Sequence, residues 1–158
     1  PIFYNHKNTG RPEGFYESVF ITKYLDSPNQ PLFPFGYGLS YTTFEYSEIQ
    51  MEDKQLTRDG KLNVSVKVKN TGKYKGTETV QLYIRDLVAS VTRPVKELKS
   101  FRKVELKPGE EKKVEFVITE KDLRFWNDKK QFISEPGKFH LFIGTDSENV
   151  KKAEFVLL

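Results

Sequence analysis

The chain is predicted to fold as an all-β, two-layered antiparallel sandwich of about seven strands, and three observations predict it. Apolar residues recur at every second position in one segment after another, the signature of half-buried strands. Each segment is bounded by Gly, Pro, Asn or Asp, the residues that turns require. A single short stretch, "TEKDLRFW", is helix-like, with Thr119 placed to cap and Asp122 three residues on.

Residues 1 to 41 stand apart from that rhythm. "PIFYNHKNTGRPEGFYESVFITKYLDSPNQ" alternates poorly and carries turn signals at Asn8 to Pro12 and Asp26 to Pro31, so it reads as an irregular tail and linker at the edge of another domain. A first strand is expected within Phe44 to Met51. "KLNVSVKVKN" then sets Leu62, Val64, Val66 and Val68 on one face and Lys61, Asn63, Ser65, Lys67 and Lys69 on the other. "ETVQLYIRD" turns Val80, Leu82 and Ile84 inward, and a further strand runs around Leu98 to Phe101. "KKVEFVIT" does the same with Val114, Phe116 and Ile118, "KFHLFIG" with Phe139, Leu141 and Ile143, and "AEFVLL" with Ala153, Phe155 and Leu157. Turns fall at "RDG" (58–60), "NTGKYKG" (70–76), "KPGE" (107–110), "EPG" (135–137) and "GTDS" (144–147). Strands of this number and spacing describe an immunoglobulin-like or fibronectin type III-like β-sandwich over residues 42–158.

Composition narrows the function classes. At 158 residues there is room for one domain with a real core and a portion of another, and not for a large catalytic barrel. A net charge of +4 from 26 basic and 22 acidic residues gives a mildly basic, well-solvated surface. Without Cys there is neither a disulfide framework nor a thiolate metal site. No apolar run approaches the ~18 residues of a membrane span. The opening "PIFY", apolar from Pro1 and lacking an initiator Met, reads as a piece of a longer chain with any targeting signal upstream.

One stretch resists the sandwich pattern. "PLFPFGYGLSY" (31–41) and the residues after it hold Phe33, Phe35, Tyr37, Tyr41, Phe44 and Tyr46, rings set among Pro and Gly that forbid regular strand pairing. Pro34 pushes Phe33 toward an extended conformation, and Gly36 and Gly38 are free to take positive φ, so the rings project from a bent ribbon. Burying one Phe is worth about 1.5–3 kcal/mol. Six such rings left in water forfeit something near a domain's whole stability, roughly 10 kcal/mol. The ribbon is therefore expected to be a buried seam against a neighbouring domain, or, in this chain alone, to find cover on its own sandwich or on a second copy.

No catalytic constellation stands out. Glycoside hydrolysis needs two carboxylates about 5–10 Å apart across one sugar ring. Glu13, Glu17, Asp53, Glu120, Asp122 and Asp146 all sit in turns or among lysines, where solvated or turn-capping roles are expected. His6 and His140 are too few and too far apart for a metal site, and His140 falls on the outward phase of its strand. There is no nucleophile elbow, phosphate loop or dinucleotide fingerprint, so neither cofactor nor metal is implied. The lysines lie on the polar phase of strands and are balanced by glutamates, which argues for a solvated face and against nucleic acid as a partner. Trp126, in "RFWND", is expected to plug one end of the core; the alternative is a ring that stacks on carbohydrate.

"PLFPFGYGLSYTTF" (31–44) resembles the segment that leads from the second, α/β sandwich domain of glycoside hydrolase family 3 β-glucosidases into their C-terminal fibronectin type III-like domain. "IFYNHKNTGRP" (2–12), "VKNTGKYKGTETVQLYIRD" (68–86), "SVTRPVKELKSFRKVELKPGE" (90–110) and "EPGKFHLFIGTDS" (135–147) extend the similarity over essentially the whole chain, closest to the periplasmic enzymes of Gram-negative bacteria. The resemblance implies a parent that releases terminal β-linked glucose by a retaining double displacement, with an Asp nucleophile on its barrel domain and a Glu acid/base upstream of Pro1. It transfers no catalytic residue onto this sequence and gives none to Glu13 or Glu17. It implies a periplasmic or secreted location. The implied partners are the catalytic domains of the same polypeptide, a second copy in a homodimer, and β-glucoside oligosaccharides as the parent's substrate. On this reading the chain is an accessory, docking domain: Phe33, Phe35, Tyr37, Tyr41 and Phe44 form the seam, and "VASVTRP" (88–94) is an interdomain loop whose Arg93 supplies a charged contact. The alternative function is a carbohydrate-binding module using Trp126.

Overall fold

The computed structural model describes Tyr4 and residues 30–158. Seven strands of three or more residues form a sandwich: β1 (Phe44–Tyr46), β4 (Lys61–Asn70), β5 (Gly76–Asp86), β6 (Glu97–Leu106), β7 (Glu111–Thr119), β10 (Gly137–Gly144) and β11 (Val150–Leu157). The two-residue segments β2 (Gln50–Met51), β3 (Gln55–Leu56), β8 (Phe125–Trp126) and β9 (Phe132–Ile133) complete the set, with one 3₁₀ turn at Glu120–Leu123.

In the first sheet β4 is central, with β1 and β2 following one another along one side and β7 along the other. The second sheet runs β3-β11-β10-β5-β6. The alternating residues anticipated for β4, β5, β7 and β10 are all buried between the two sheets, and cross-strand neighbours such as Val64 and Phe116 or Leu82 and Ile143 share that face. Phe139 and Phe155 stack at 5.3 Å in its centre. Period-two burial therefore accounts for the core: each strand presents one apolar face, and two such faces are removed from water together.

Two features depart from an all-antiparallel pattern of continuous strands. The expected strand from Phe44 to Met51 is broken into β1 and β2. The chain then crosses sheets, and β3 pairs parallel with β11 (Val156 with Gln55, Leu157 with Leu56). The crossing lets Leu56 enter the core, and it covers the edge of β11 that would otherwise expose unpaired backbone.

The turns follow their residues. Lys107–Glu110 closes with Glu110 N–H donating to Lys107 O at 3.0 Å, and Gly109 takes φ 76°, the positive value that the third position of a type II turn after Pro requires. Asn70 anchors the 70–76 turn from inside: it is fully buried, its amide donates to the carbonyls of Tyr74 (2.8 Å) and Leu106 (3.0 Å), and its Oδ1 accepts from Thr42 Oγ1 (2.6 Å) and Gly72 N–H (3.0 Å). At the helix-like stretch Asp122 accepts from Thr119 N–H (2.7 Å) and Thr119 Oγ1 (2.8 Å). Glu120 is no solvated carboxylate. It is buried, receives the Arg124 guanidinium and Ser134 Oγ, and is held below the usual carboxylate range chiefly by Arg124.

Candidate interdomain surface

The outward phase of β5 is where the sandwich meets its leader. Gln81 and Tyr83 point away from the core side chains Val80, Leu82 and Ile84, yet both are buried, Tyr83 completely. Their cover is the ribbon 30–43 together with Tyr4. The Tyr4 ring meets Tyr83 edge-on at 5.9 Å and stacks on Phe35 at 4.0 Å. The ribbon backbone is fastened at this corner: Ser147 N–H donates to Phe35 O (2.9 Å) and Gln81 Nε2 donates to Gly36 O (3.2 Å). Gly36 has φ 83°, and a Cβ there would collide with the Gln81 amide, so both the positive φ and the close approach require glycine.

The backbone is thus tied down while several rings turn outward. Phe33 is 60% exposed, Phe35 and Tyr37 each 45%, and Tyr41 96%. Phe33 and Tyr37 touch only obliquely, at 4.9 Å and 35°. The expectation that these rings find cover on their own sandwich is met for Phe44 and Tyr46, which pack against the core, and not for the four that precede them. The reason is geometric: the anchor points are backbone carbonyls, which leave the side chains of a Pro- and Gly-bent ribbon facing away. Beside the ribbon lies an open cleft of about 700 Å³ lined by Gly38, Ser40, Thr42, Tyr46 and Glu78, among others. Tyr46 OH donates to Glu78 Oε1 at 2.7 Å, and burial followed by that carboxylate pushes the phenol's pKa up.

The loop 88–94 packs toward the β8–β9 hairpin, Ser90 N–H donating to Glu135 Oε2 at 2.8 Å. Lys96, just after it, donates to Ser147 O and lies 5.0 Å over the Phe142 ring, so Ser147 joins the leader and the start of β6 at one corner. Arg93 is largely spent inside the domain: its side chain is 15% exposed, pairs with Glu97 at 2.9 Å and lies 4.4 Å over Phe125. Its Nε, the Asp86 Oδ2 and the Ser147 Oγ are buried without a hydrogen-bond partner among the described residues. Desolvation raises the Asp86 carboxyl to about 6, against the opposing pull of the Val88 N–H and Arg93. Gln81, Tyr83, Asp86, Lys96 and Ser147 were not anticipated from sequence; the available signal was a Tyr on the polar phase of a strand, next to a ribbon rich in glycine.

Trp126 does not plug the core. Phe125 is the inward ring of β8, buried beneath Arg93, and the alternation of β8 leaves Trp126 67% exposed, 5.3 Å from Phe132 across the β8–β9 pair. His140 faces outward as expected but is not bare: Glu154 Oε1 lies 3.0 Å from its Nε2 and its side chain is 15% exposed. Asp146 caps a turn, accepting from the N–H groups of Glu148 and Asn149. His6, Glu13, Glu17 and the rest of residues 1–3 and 5–29 lie outside the described residues. Among the described residues no group of three His, Asp or Glu is placed to hold a metal, and no helix is long and apolar enough to cross a membrane.

The fibronectin type III-like domain family matches residues 78–147, the span from β5 to the turn after β10. The periplasmic β-glucosidase of Salmonella typhimurium is 49% identical over the whole chain, which corresponds to 21% of that protein. A putative β-xylosidase of Formosa agariphila is 49% identical over 85% of the chain and 18% of its own length. The crystal structure of a β-glucosidase from Listeria innocua in complex with glucose superposes with a TM-score of 0.92 at 42% identity, covering 99% of this chain and 22% of that one. The chain therefore spans about a fifth of the length of the relatives it matches. Residues 78–147 thus match a fibronectin type III-like domain, and the chain as a whole is similar to the C-terminal regions of β-glucosidases.

Proposed function

We propose that the chain is the C-terminal accessory part of a glycoside hydrolase family 3 β-glucosidase, in which residues 1–41 are the end of the α/β catalytic domain and its linker and residues 42–158 are a sandwich docked against the catalytic body. The parent hydrolyses terminal β-D-glucosyl residues with retention, in the periplasm or outside the cell, and this chain contributes no catalytic residue. One observation carries the reading: a ribbon whose backbone is bonded to the sandwich at Phe35 and Gly36 while Phe33, Phe35, Tyr37 and Tyr41 face solvent. Rings held outward from an anchored backbone are preorganised to enter a second surface, and the parts of the four still exposed supply about 4–7 kcal/mol of apolar burial there. Phe44 continues the seam into the core, and Arg93 meets the neighbouring domain only through the exposed edge of a side chain already paired with Glu97.

The test is the double substitution Phe35→Ala with Tyr37→Ala made in the full-length parent and in this chain. The expected outcome is a fall of several degrees in the parent's Tm, with a much smaller fall in the chain alone. An unchanged parental Tm, or cleavage of nitrophenyl β-glucoside by this chain unaided, overturns the proposal.

A further inference from the structure

The β8–β9 hairpin ends in an aromatic surface away from the points where the ribbon is fastened, at Ser147 and Gln81. Trp126 (67% exposed) and Phe132 (49%) lie opposite each other with centroids 5.3 Å apart and planes at 39°, so each ring keeps an open face. The hairpin beneath them is rigid. Asn127 N–H donates to Gln131 O (3.0 Å), Gln131 N–H returns to Asn127 Oδ1 (2.9 Å), the Asn127 amide reaches Gln131 Oε1 (3.1 Å), and Lys130 N–H closes the tip on Asn127 O (3.1 Å). Lys130 holds a left-handed φ of 58°, the conformation a tight tip demands. The rings are bordered by Asp128, Lys129, Lys130 and Gln131, all exposed and polar.

Two facts about this patch narrow its occupant. It is small: a stable protein interface buries about 800 Å² on each partner, far more than two ring faces offer. It is also apolar only on the flat ring surfaces and hydrogen-bonding all round them. That is the chemistry of a pyranose with equatorial hydroxyls, which presents a C–H face for stacking and a polar rim for amide, carboxylate and ammonium groups. The hairpin meets β10 at Gly137, whereas the leader is fastened beyond its other end at Ser147; the seven steps from Gly137 to Gly144 alone separate them by about 23 Å along the strand. The ribbon and the platform are thus well apart, whereas Arg93, 4.4 Å over Phe125 of the same hairpin, lies beside the platform.

We propose that Trp126 and Phe132 form a stacking platform for β-glucosyl oligosaccharide chains, with Gln131 and Asp128 at its polar rim. The choice of a glucosyl ligand rests on the parent activity proposed above; the platform itself does not. Trp126 is the sole tryptophan, so its fluorescence reports on the site directly.

The experiment titrates this chain with laminarihexaose, cellohexaose, xylohexaose and mannohexaose, following Trp126 emission, and repeats the titration by calorimetry on Trp126→Ala, Trp126→Tyr and Phe132→Ala. The folding of each variant is checked by its Tm, and Tyr74→Ala, an exposed aromatic elsewhere, serves as control. Expected are a saturable blue shift with one or both glucosyl chains, a loss of about tenfold or more in affinity for Trp126→Ala and Phe132→Ala, retention within a few-fold in Trp126→Tyr, and no change in the control. No saturable signal with any sugar up to about 10 mM overturns the platform, as does affinity undiminished in both Ala variants. Binding of the xylosyl or mannosyl chain alone overturns the ligand class and points to a fault in the parent reading. Self-association abolished by Trp126→Ala without any sugar response overturns the proposal in favour of a protein partner.

Discussion

Asn70 satisfies more of the fold than any apolar residue near it. One buried amide ties the 70–76 turn, the end of β6 and the start of the sandwich at Thr42 through four hydrogen bonds. Asn70→Ala leaves the Leu106 carbonyl and the Thr42 hydroxyl buried without those partners, at about 1–3 kcal/mol for each unsatisfied group. The expected loss is roughly 2–4 kcal/mol in urea unfolding, and a loss below 1 kcal/mol would show that water replaces the amide. Asp86 is the complementary case, a carboxyl whose burial favours the neutral acid. Its folded pKa of about 6 lies above the usual 3.8, so the folded state holds a proton that the unfolded chain has released. The stability that this proton contributes is complete below about 3.8 and is lost as pH rises through about 6. Asp86→Asn removes that dependence, so the variant's Tm relative to wild type is expected to rise between pH 4 and pH 7.5. A difference independent of pH would mean that Arg93 fully compensates the charge.

At the scale of a strand, the two faces of β10 differ in kind. Leu141 is completely buried between β5 and β11, and Leu141→Ala is expected to cost about 2–5 kcal/mol through lost burial and the cavity it leaves. Its neighbour His140 points outward to a well-exposed Glu154, so His140→Ala is expected to cost less than about 1 kcal/mol. Denaturant titrations of the two variants check the pair; equal losses would contradict the assignment of the faces. This alternation is what made β4, β5, β7, β10 and β11 legible from sequence, because in each of them the apolar phase faces the core. β8 shows where that reasoning slips. Two adjacent aromatics, Phe125 and Trp126, compete for one inward position, and phase could not be read from a strand only two residues long. The order of the hairpin turned Phe125 in and left Trp126 out.

For the whole molecule, the outward rings make a prediction about the chain on its own. A surface carrying Leu32, Phe33, Leu39 and Tyr41 in one short ribbon is expected to bind an apolar dye and to favour association at high concentration. Phe33→Ser with Tyr41→Ser is expected to reduce both while changing unfolding free energy by less than about 0.5 kcal/mol, since neither ring is buried here. Dye fluorescence and sedimentation measure this directly; a large fall in stability would show that these two rings pack on their own sandwich. The double substitution proposed for the full-length parent asks the converse question, whether the same ribbon matters once a body is present to receive it.

By itself the sequence determined the two-sheet sandwich, its turns and the unusual character of the ribbon, because these depend on local periodicity and on residues such as Gly109 and Pro108 whose backbone preferences are intrinsic. Tertiary structure alone decided which surface the ribbon lies on. Tyr83 occupies a polar phase and yet is buried, Ser147 joins two segments distant in sequence, and Arg93 turns back onto Phe125 and Glu97. Such contacts arise when elements far apart in the chain are brought together, and no period within a single strand encodes them.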